Sequence, residues 1–278
     1  MLDAADTVCS AGGVEEILKG KGPLVARLVA DNTKNKAAAA RLELVAAELR
    51  KIDAWWTFFV LPVVDARTGT ALMCPAAACS QNQCGNKTVA TYFKNGGTSL
   101  SNLVLNDAGS LLLKVDVRLV FKGMLACVRQ LHANEITHND LHLDNFVLSG
   151  DQVRLIDMDK CLLPAETMTY VPMAERTSSF HSGLSIGHLR DAPDYRWSKT
   201  MDKIADISML VQSVYLLCVH LQRHAANVLA ATTRQIARVE AAASDSPGAR
   251  EENEAFLKKL AKKQSFYRRA ADKYAGLQ

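Results

Sequence analysis

Three oxygen-bearing side chains, close in sequence, set the chemical question for this chain. In His138-Asn139-Asp140-Leu141-His142-Leu143-Asp144-Asn145, a carboxylate and an amide lie five residues apart on one short loop. Asp157 adds a second carboxylate at the end of the strand-like run Gln152-Val153-Arg154-Leu155-Ile156. A hairpin pairing Phe146-Val147-Leu148 with Val153 to Ile156, turning at Ser149-Gly150-Asp151, would return Asp157 to the side of Asn145. Carboxylate and amide oxygens are hard donors that suit Mg2+, with water and phosphate oxygens completing the octahedron. A further carboxylate beside them can orient an acceptor hydroxyl and take its proton. Such a set fits phosphoryl transfer from a nucleoside triphosphate; the plainer alternative is a polar turn with solvated carboxylates.

The segment resembles the catalytic loop and metal-binding motif of the protein-kinase-like superfamily. The resemblance implies that Asp140 is the catalytic base, that Asn145 and Asp157 hold Mg2+, and that His138 anchors the loop. Upstream, Leu131-His132 and Ile136 match the end of the helix leading into that loop. Ala192-Pro193-Asp194 is similar to the Ala-Pro-Glu that closes a kinase activation segment, with Asp for Glu. Twelve residues later, Asp206-Ile207-Ser208-Met209-Leu210 resembles the start of the central helix of the large lobe, whose Asp holds the catalytic-loop backbone in that family. Residues 162–191 have the length and polarity of an activation segment, with Thr177, Ser178, Ser179 and Ser182 as candidate phosphate acceptors or plain loop hydroxyls. The resemblance implies an α+β, two-lobed fold. Residues 1–93 would form a small β-rich lobe with one helix, 94–97 a hinge, 98–243 a larger helical lobe, and 244–278 a basic helix packed on it. It also implies ATP and Mg2+ as cofactors and a protein substrate, with adenine facing the backbone of the hinge around Tyr92 and Lys94 to Gly97.

The nucleotide-gripping side departs from the pattern. Val25-Ala26-Arg27 aligns with the Val-Ala-x-Lys strand whose Lys grips the α- and β-phosphates, but one residue is missing or Arg has replaced Lys. Arg keeps the charge with a bulkier, planar fork; Lys19 or Lys21 is the alternative cation. Glu43, with Glu48 as rival, is the candidate helix carboxylate for that cation, or either is a surface charge. Gly12-Gly13 offers a flexible turn and N–H donors for phosphate without the full glycine pattern. Asp157-Met158-Asp159 replaces Asp-Phe-Gly and is similar to small-molecule kinases of the aminoglycoside and choline type. His142 occupies the position where Ser/Thr protein kinases place a Lys that contacts the transferred phosphate, and its ordinary pKa makes it partly charged near neutrality. The Asn-Asp-Leu-His variant is similar to divergent kinases of large DNA viruses.

The elements that must position these residues follow from patterning. Residues 10–29 read as a hairpin ending in Leu24–Val29, and 33–52 as a helix with Leu42, Leu44, Val45, Leu49 and Ile52 at three- and four-residue spacing. Phe58–Val64 and Val89–Phe93 read as strands. Leu111–His132, roughly Asp202–His224 and Glu251–Tyr274 read as helices, with a breaker at Ser244–Gly248. The last helix carries seven Lys and Arg between Lys258 and Lys273, a solvated basic face or a recruiter of acidic partners.

Bulk properties bound the rest. The chain has 278 residues, 49% of them apolar, enough for a substantial core. A net charge of +4 makes nucleic-acid binding an unlikely primary role. Trp55–Val64, the most apolar short run, is about half of a membrane span, and no secretory signal opens the sequence. A soluble, intracellular protein with reduced thiols is expected from seven scattered cysteines. Cys74, Cys79 and Cys84, spaced by five, lack the pairing of a zinc site. The leading expectation is an ATP-dependent Ser/Thr protein kinase. A small-molecule phosphotransferase and a pseudokinase scaffold are the rivals.

Overall fold

A computed structural model describes residues 15–19, 24–30, 33–63, 73–75, 87–166, 199–241 and 247–276. Gly12, Gly13, Lys21, Cys79, Cys84, the 177–182 hydroxyls and Ala192-Pro193-Asp194 lie outside the described residues.

Two antiparallel sheets and six helices make an α+β architecture among the described residues. The first sheet has the order β1-β2-β4-β3, from β1 (Glu15–Lys19), β2 (Leu24–Ala30), β3 (Met73–Pro75) and β4 (Lys87–Lys94). The expected hairpin is β1 on β2, with Ile17 opposite Arg27; Arg27 in turn faces Thr91 of β4. Helix α1 (Thr33–Leu49) follows β2 directly and buries Leu42, Val45, Ala46 and Leu49. That spacing of three and four residues puts one apolar stripe on the core.

The second sheet, β5 (Thr98–Ser99), β6 (Phe146–Ser149) and β7 (Gln152–Leu155), is the platform of the loop that carries Asp140 and Asn145. The β6–β7 hairpin pairs Phe146 with Leu155 and turns through Gly150 at φ 63°. Over its described residues, 58–63, the expected strand Phe58–Val64 is not a regular strand. Phe59 bridges Leu155 on one side and Pro62 bridges Phe93 on the other, so the segment stitches the two sheets together. Pro62 has no N–H to extend a ladder, which limits the segment to such single bridges.

The expected Leu111–His132 helix is divided. After α2 (Leu100–Asn106), α3 (Ala108–Lys114) ends at Val115, and α4 (Val117–Ala133) starts anew with Asp116 accepting a hydrogen bond from Arg118 N at 3.0 Å. An Asp at that position caps a helix better than it continues one. Val117, Val120, Met124, Cys127, Val128 and Leu131 form the buried stripe of α4. Gly123 lets β7 approach closely, since a Cβ there would meet Val153 Cβ at 2.8 Å.

Helix α5 runs from Lys199 to Ala241, well past the expected end at His224, and α6 spans Pro247–Ala275. Proline opening α6 is a favoured start, its missing N–H being surplus there. α6 buries Leu260, Tyr267 and Tyr274 at seven-residue intervals, and Gln264 Nε2 reaches Thr233 Oγ1 at 2.9 Å on α5. Its lysines and arginines from Lys258 to Lys273 are all exposed. The stretch Asp202–Ala241 is long and apolar enough to cross a membrane by length and composition. Yet Asp202 and Asp206 are fully buried in it, and Met209, Leu210, Leu217 and Leu221 are core residues. Ile204, Ile207, Val211 and Tyr215 of the same helix are exposed, so packing accounts for only part of its apolarity. Cys127, Cys161 and Cys218 are buried free thiols.

Candidate functional site

A cleft of about 410 Å3 opens between the first sheet and the loop platform, walled by Arg27, Leu42, Val60, Phe93 to Ser99, Asn102, Asp144, Asn145, Val147 and Ile156 to Met158. Gly97, at φ 114°, presses so close to β6 that a Cβ would lie 2.1 Å from Leu148 O. Lys94 lies at the end of β4 on this wall, and Tyr92 precedes it in the same strand.

The loop is held from behind by α5. Asp206, wholly buried, accepts hydrogen bonds from His138 N at 2.7 Å and Asn139 N at 2.8 Å, and its Oδ2 lies 3.0 Å from His132 Nε2. The backbone contact is the one the sequence reading assigned to this aspartate. His138 Nε2 meets Ile156 O at 3.0 Å while its Nδ1 accepts from Asp140 N at 3.3 Å, so the ring locks the loop to the segment before Asp157. Asn139 and Asp157 both adopt left-handed backbone, φ 63° and 62°. Asn and Asp tolerate that region better than other residues with a Cβ, and such positions gather at functional sites.

Asn145 gives Nδ2 to Asp140 O at 2.8 Å, which fixes the orientation of its amide, and Ile156 N donates to Asn145 O at 2.9 Å. Asp140, Asn145 and Asp157 thus come together, as the hairpin argument required. Asn145 and Asp157 are hard oxygen donors bordering the cleft, Asp157 with its side chain 30% exposed. Among the described residues no three His, Cys, Asp or Glu side chains converge as a complete metal site. The donor set fits a cation that brings phosphate and water ligands with it, as Mg2+ does, and does not fit zinc.

Arg27 reaches into this set. Its Nη1 is 3.0 Å from Asp157 Oδ1 and its Nη2 is 3.5 Å from Asp159 Oδ2. Glu43 is half-buried on α1, where its charge acts on Arg50. Glu48 pairs with Lys51 at 2.6 Å on the surface. Lys19 lies in β1.

Neither models of known protein families nor curated proteins match this chain.

His142 is corrected by the structure. Rather than facing the cleft it is 7% exposed, with Nε2 3.6 Å from Asp140, Nδ1 3.6 Å from Asp144, and Asn145 Nδ2 at 3.0 Å from Nε2. Burial alone would lower its pKa; the two flanking carboxylates outweigh burial and raise it to about 9. The Asn145 amide pulls the other way, because it donates only to an unprotonated Nε2.

The residue missed by sequence reading is Lys160. Its ammonium lies 2.8 Å from Asp140 Oδ2 with the side chain 49% exposed. Burial would raise the Asp140 pKa, but nearby His142 and the hydrogen bond from Lys160 hold it well below the usual carboxylate range. Asp140 is therefore an ionised carboxylate under a lysine. A cation three residues beyond Asp157 is the only sequence signal, and it is a weak one. Arg41 of α1 was also missed: it hydrogen-bonds Glu166 Oε1 at 2.7 Å and also Cys161 O, tying α1 to the segment beyond Lys160.

Proposed function

We propose that this chain is a divergent protein-kinase-like phosphotransferase that passes the γ-phosphoryl group of ATP to Ser or Thr hydroxyls of a protein. Residues 1–93 would act as the nucleotide-gripping lobe, 94–97 as the hinge, and 98–243 as the lobe that holds the loop, with 244–278 packed against it. The observation that carries the reading is the convergence of Asp140, Asn145 and Asp157 on one loop platform that Asp206 braces from behind.

In this reading Asn145 and Asp157 hold Mg2+, which would supply charge neutralisation on the phosphates. Asp140 orients the acceptor hydroxyl and takes its proton. Arg27 steadies the phosphates, and the turn from Lys94 to Gly97 meets the adenine through its backbone. Phe93, Leu42 and Val60 line the same cleft and give the flat base apolar surfaces.

A small-molecule phosphotransferase is the second reading, favoured by Asp159 sharing Arg27 with Asp157. A binding scaffold would explain Arg27 lying across Asp157, but it gives no reason for Asp140, Asn145 and Asp157 to be held together.

The test is γ-phosphate transfer from labelled ATP with Mg2+ by wild type, Asp140→Asn, Asp157→Ala and Arg27→Ala. Loss of the base is expected to slow transfer by about 10²–10⁴-fold, and Asp157→Ala to abolish it. Labelling of a generic protein substrate supports the leading reading, and turnover only with small acceptors moves it to the second. Absence of both turnover and any Mg-ATP thermal shift in wild type leaves the scaffold.

A further inference from the structure

Resting on that reading, we propose that Lys160 is the catalytic cation of the transfer, contacting the non-bridging oxygens of the moving phosphoryl group from its station on Asp140. Phosphoryl transfer spreads charge over the equatorial oxygens of the moving group, and little covalent chemistry is left for the protein; a cation aimed at those oxygens is one of its main resources. That cation must stand next to the carboxylate that receives the acceptor proton, because the acceptor oxygen and the phosphorus meet there.

Among the described residues, three candidates bear positive charge near Asp140. His142 is buried, and its ring nitrogens face Asp140, Asp144 and Asn145. Arg27 lies on the opposite wall, engaged with Asp157 and Asp159. Of these three, Lys160 combines contact with Asp140, at 2.8 Å, with a half-exposed side chain. Its charge also feels Asp157 and Asp159. An ammonium carries three donors; one serves Asp140, and the rotatable head can offer the others to phosphate oxygens.

The position has a structural cause. Asp157 in left-handed backbone is followed by a single 3-10 turn, Met158–Lys160, which buries Met158 and throws Lys160 back toward the loop. Asn139 Nδ2 meets Lys160 O at 3.3 Å and keeps that turn against the loop. Metal motif and cation are thereby delivered by one turn.

In the step itself, the acceptor oxygen forms its bond to phosphorus as the bond from phosphorus to the leaving diphosphate oxygen breaks. The electron pair of the broken bond departs on the diphosphate, and the acceptor proton passes to Asp140. Lys160 forms no bond to phosphorus and keeps its proton. It neutralises charge on the moving group and, by staying on Asp140, keeps base and phosphoryl group in register.

The experiment compares wild type with Lys160→Met, which keeps the stem without charge, and Lys160→Arg. Single-turnover transfer is measured together with affinity for Mg-ATP and for Mg-ADP with aluminium fluoride, a mimic of the moving group. Lys160→Met is expected to lose roughly 10²–10³-fold in rate, the scale of removing one transition-state donor. Its affinity for the fluoride complex should fall in parallel, while Mg-ATP affinity stays within about twofold of wild type. Lys160→Arg should recover part of both. Unchanged rate and fluoride affinity in a Lys160→Met protein, beside a wild type that turns over and an inactive Asp157→Ala, overturns the assignment of Lys160 alone. Equal losses of ATP and fluoride affinity also overturn it, since Lys160 would then bind ground state and transition state alike. A wild type that neither transfers phosphate nor binds Mg-ATP overturns the site reading and this assignment with it.

Discussion

The two walls of the cleft are built on different principles. On the loop wall, His138, Asn139, Asp140 and Asn145 each take part in at least one hydrogen bond within the loop or to Asp206, and His138, Asp140 and Asn145 are buried. On the sheet wall Arg27, set on a strand, meets the loop wall through side-chain ion pairs with Asp157 and Asp159, and Lys94 lines the same wall. A buried network with matched partners resists displacement because each member would be left unsatisfied. Partly exposed ion pairs are weaker and rearrange easily. The loop wall is thus rigid, and the sheet wall can change partners when a polyanion arrives.

Asp206→Ala breaks the rigid wall most directly. It strands two backbone N–H groups and His132 in a dry site, and each unsatisfied buried donor costs about 1–3 kcal/mol. A loss of roughly 3–5 kcal/mol of unfolding free energy is expected in urea titration. Asp206→Asn, which retains one acceptor oxygen, should lose less. Equal small losses in both variants would mean that the loop is held by something other than Asp206.

Gly97→Ala tests the edge where the walls meet. Its φ of 114° and the 2.1 Å approach of a Cβ to Leu148 O leave no room for a side chain. Destabilisation of about 2 kcal/mol or more is expected, with a matching loss of nucleotide affinity because the turn itself lines the cleft. Arg27→Ala should behave oppositely. Loss of its pairs with Asp157 and Asp159 costs about 1 kcal/mol of stability, while Mg-ATP affinity, followed by calorimetry, falls by a larger factor than stability does. A stability loss as great as that of Asp206→Ala would erase the distinction between the walls.

The rigid wall was also the legible one. Asp140, Asn145 and Asp157 sit in a short stretch closed by a two-stranded hairpin, and local spacing alone brings them together. Asp206 was legible through a motif, although it acts from 68 residues beyond His138. Lys160 was not, because its contact with Asp140 depends on a left-handed residue and a 3-10 turn that no composition announces. The segment Phe58–Val64 has strand composition, yet its pairing is divided between two sheets, a tertiary decision that local propensity does not contain. α5 outran its expected end because Ala, Leu and Arg continue past His224 with nothing to stop a helix. Burial of His142 likewise overrode what its position by resemblance suggested.

The smallest effect tests how α1, beside the sheet wall, is tied to the chain beyond the loop. Arg41 of α1 holds Glu166, and with it Cys161 O, and this pair sits at the protein surface with Glu166 36% exposed. The hydrogen bond from Arg41 lowers the Glu166 pKa, with burial opposing. A carboxylate whose pKa is depressed by folding stabilises the fold at pH above its ordinary value of about 4.3 and loses that contribution as pH falls through the lowered value. Wild type should therefore exceed Glu166→Gln in Tm near neutrality by the equivalent of no more than about 1 kcal/mol. The gap should shrink as the solution is acidified below the ordinary Glu range, and shrink also with added salt, because the pair is exposed to solvent ions. A gap that survives both acid and salt would make the Arg41 contact a packing contact instead, and α1 would then be anchored as firmly as the loop.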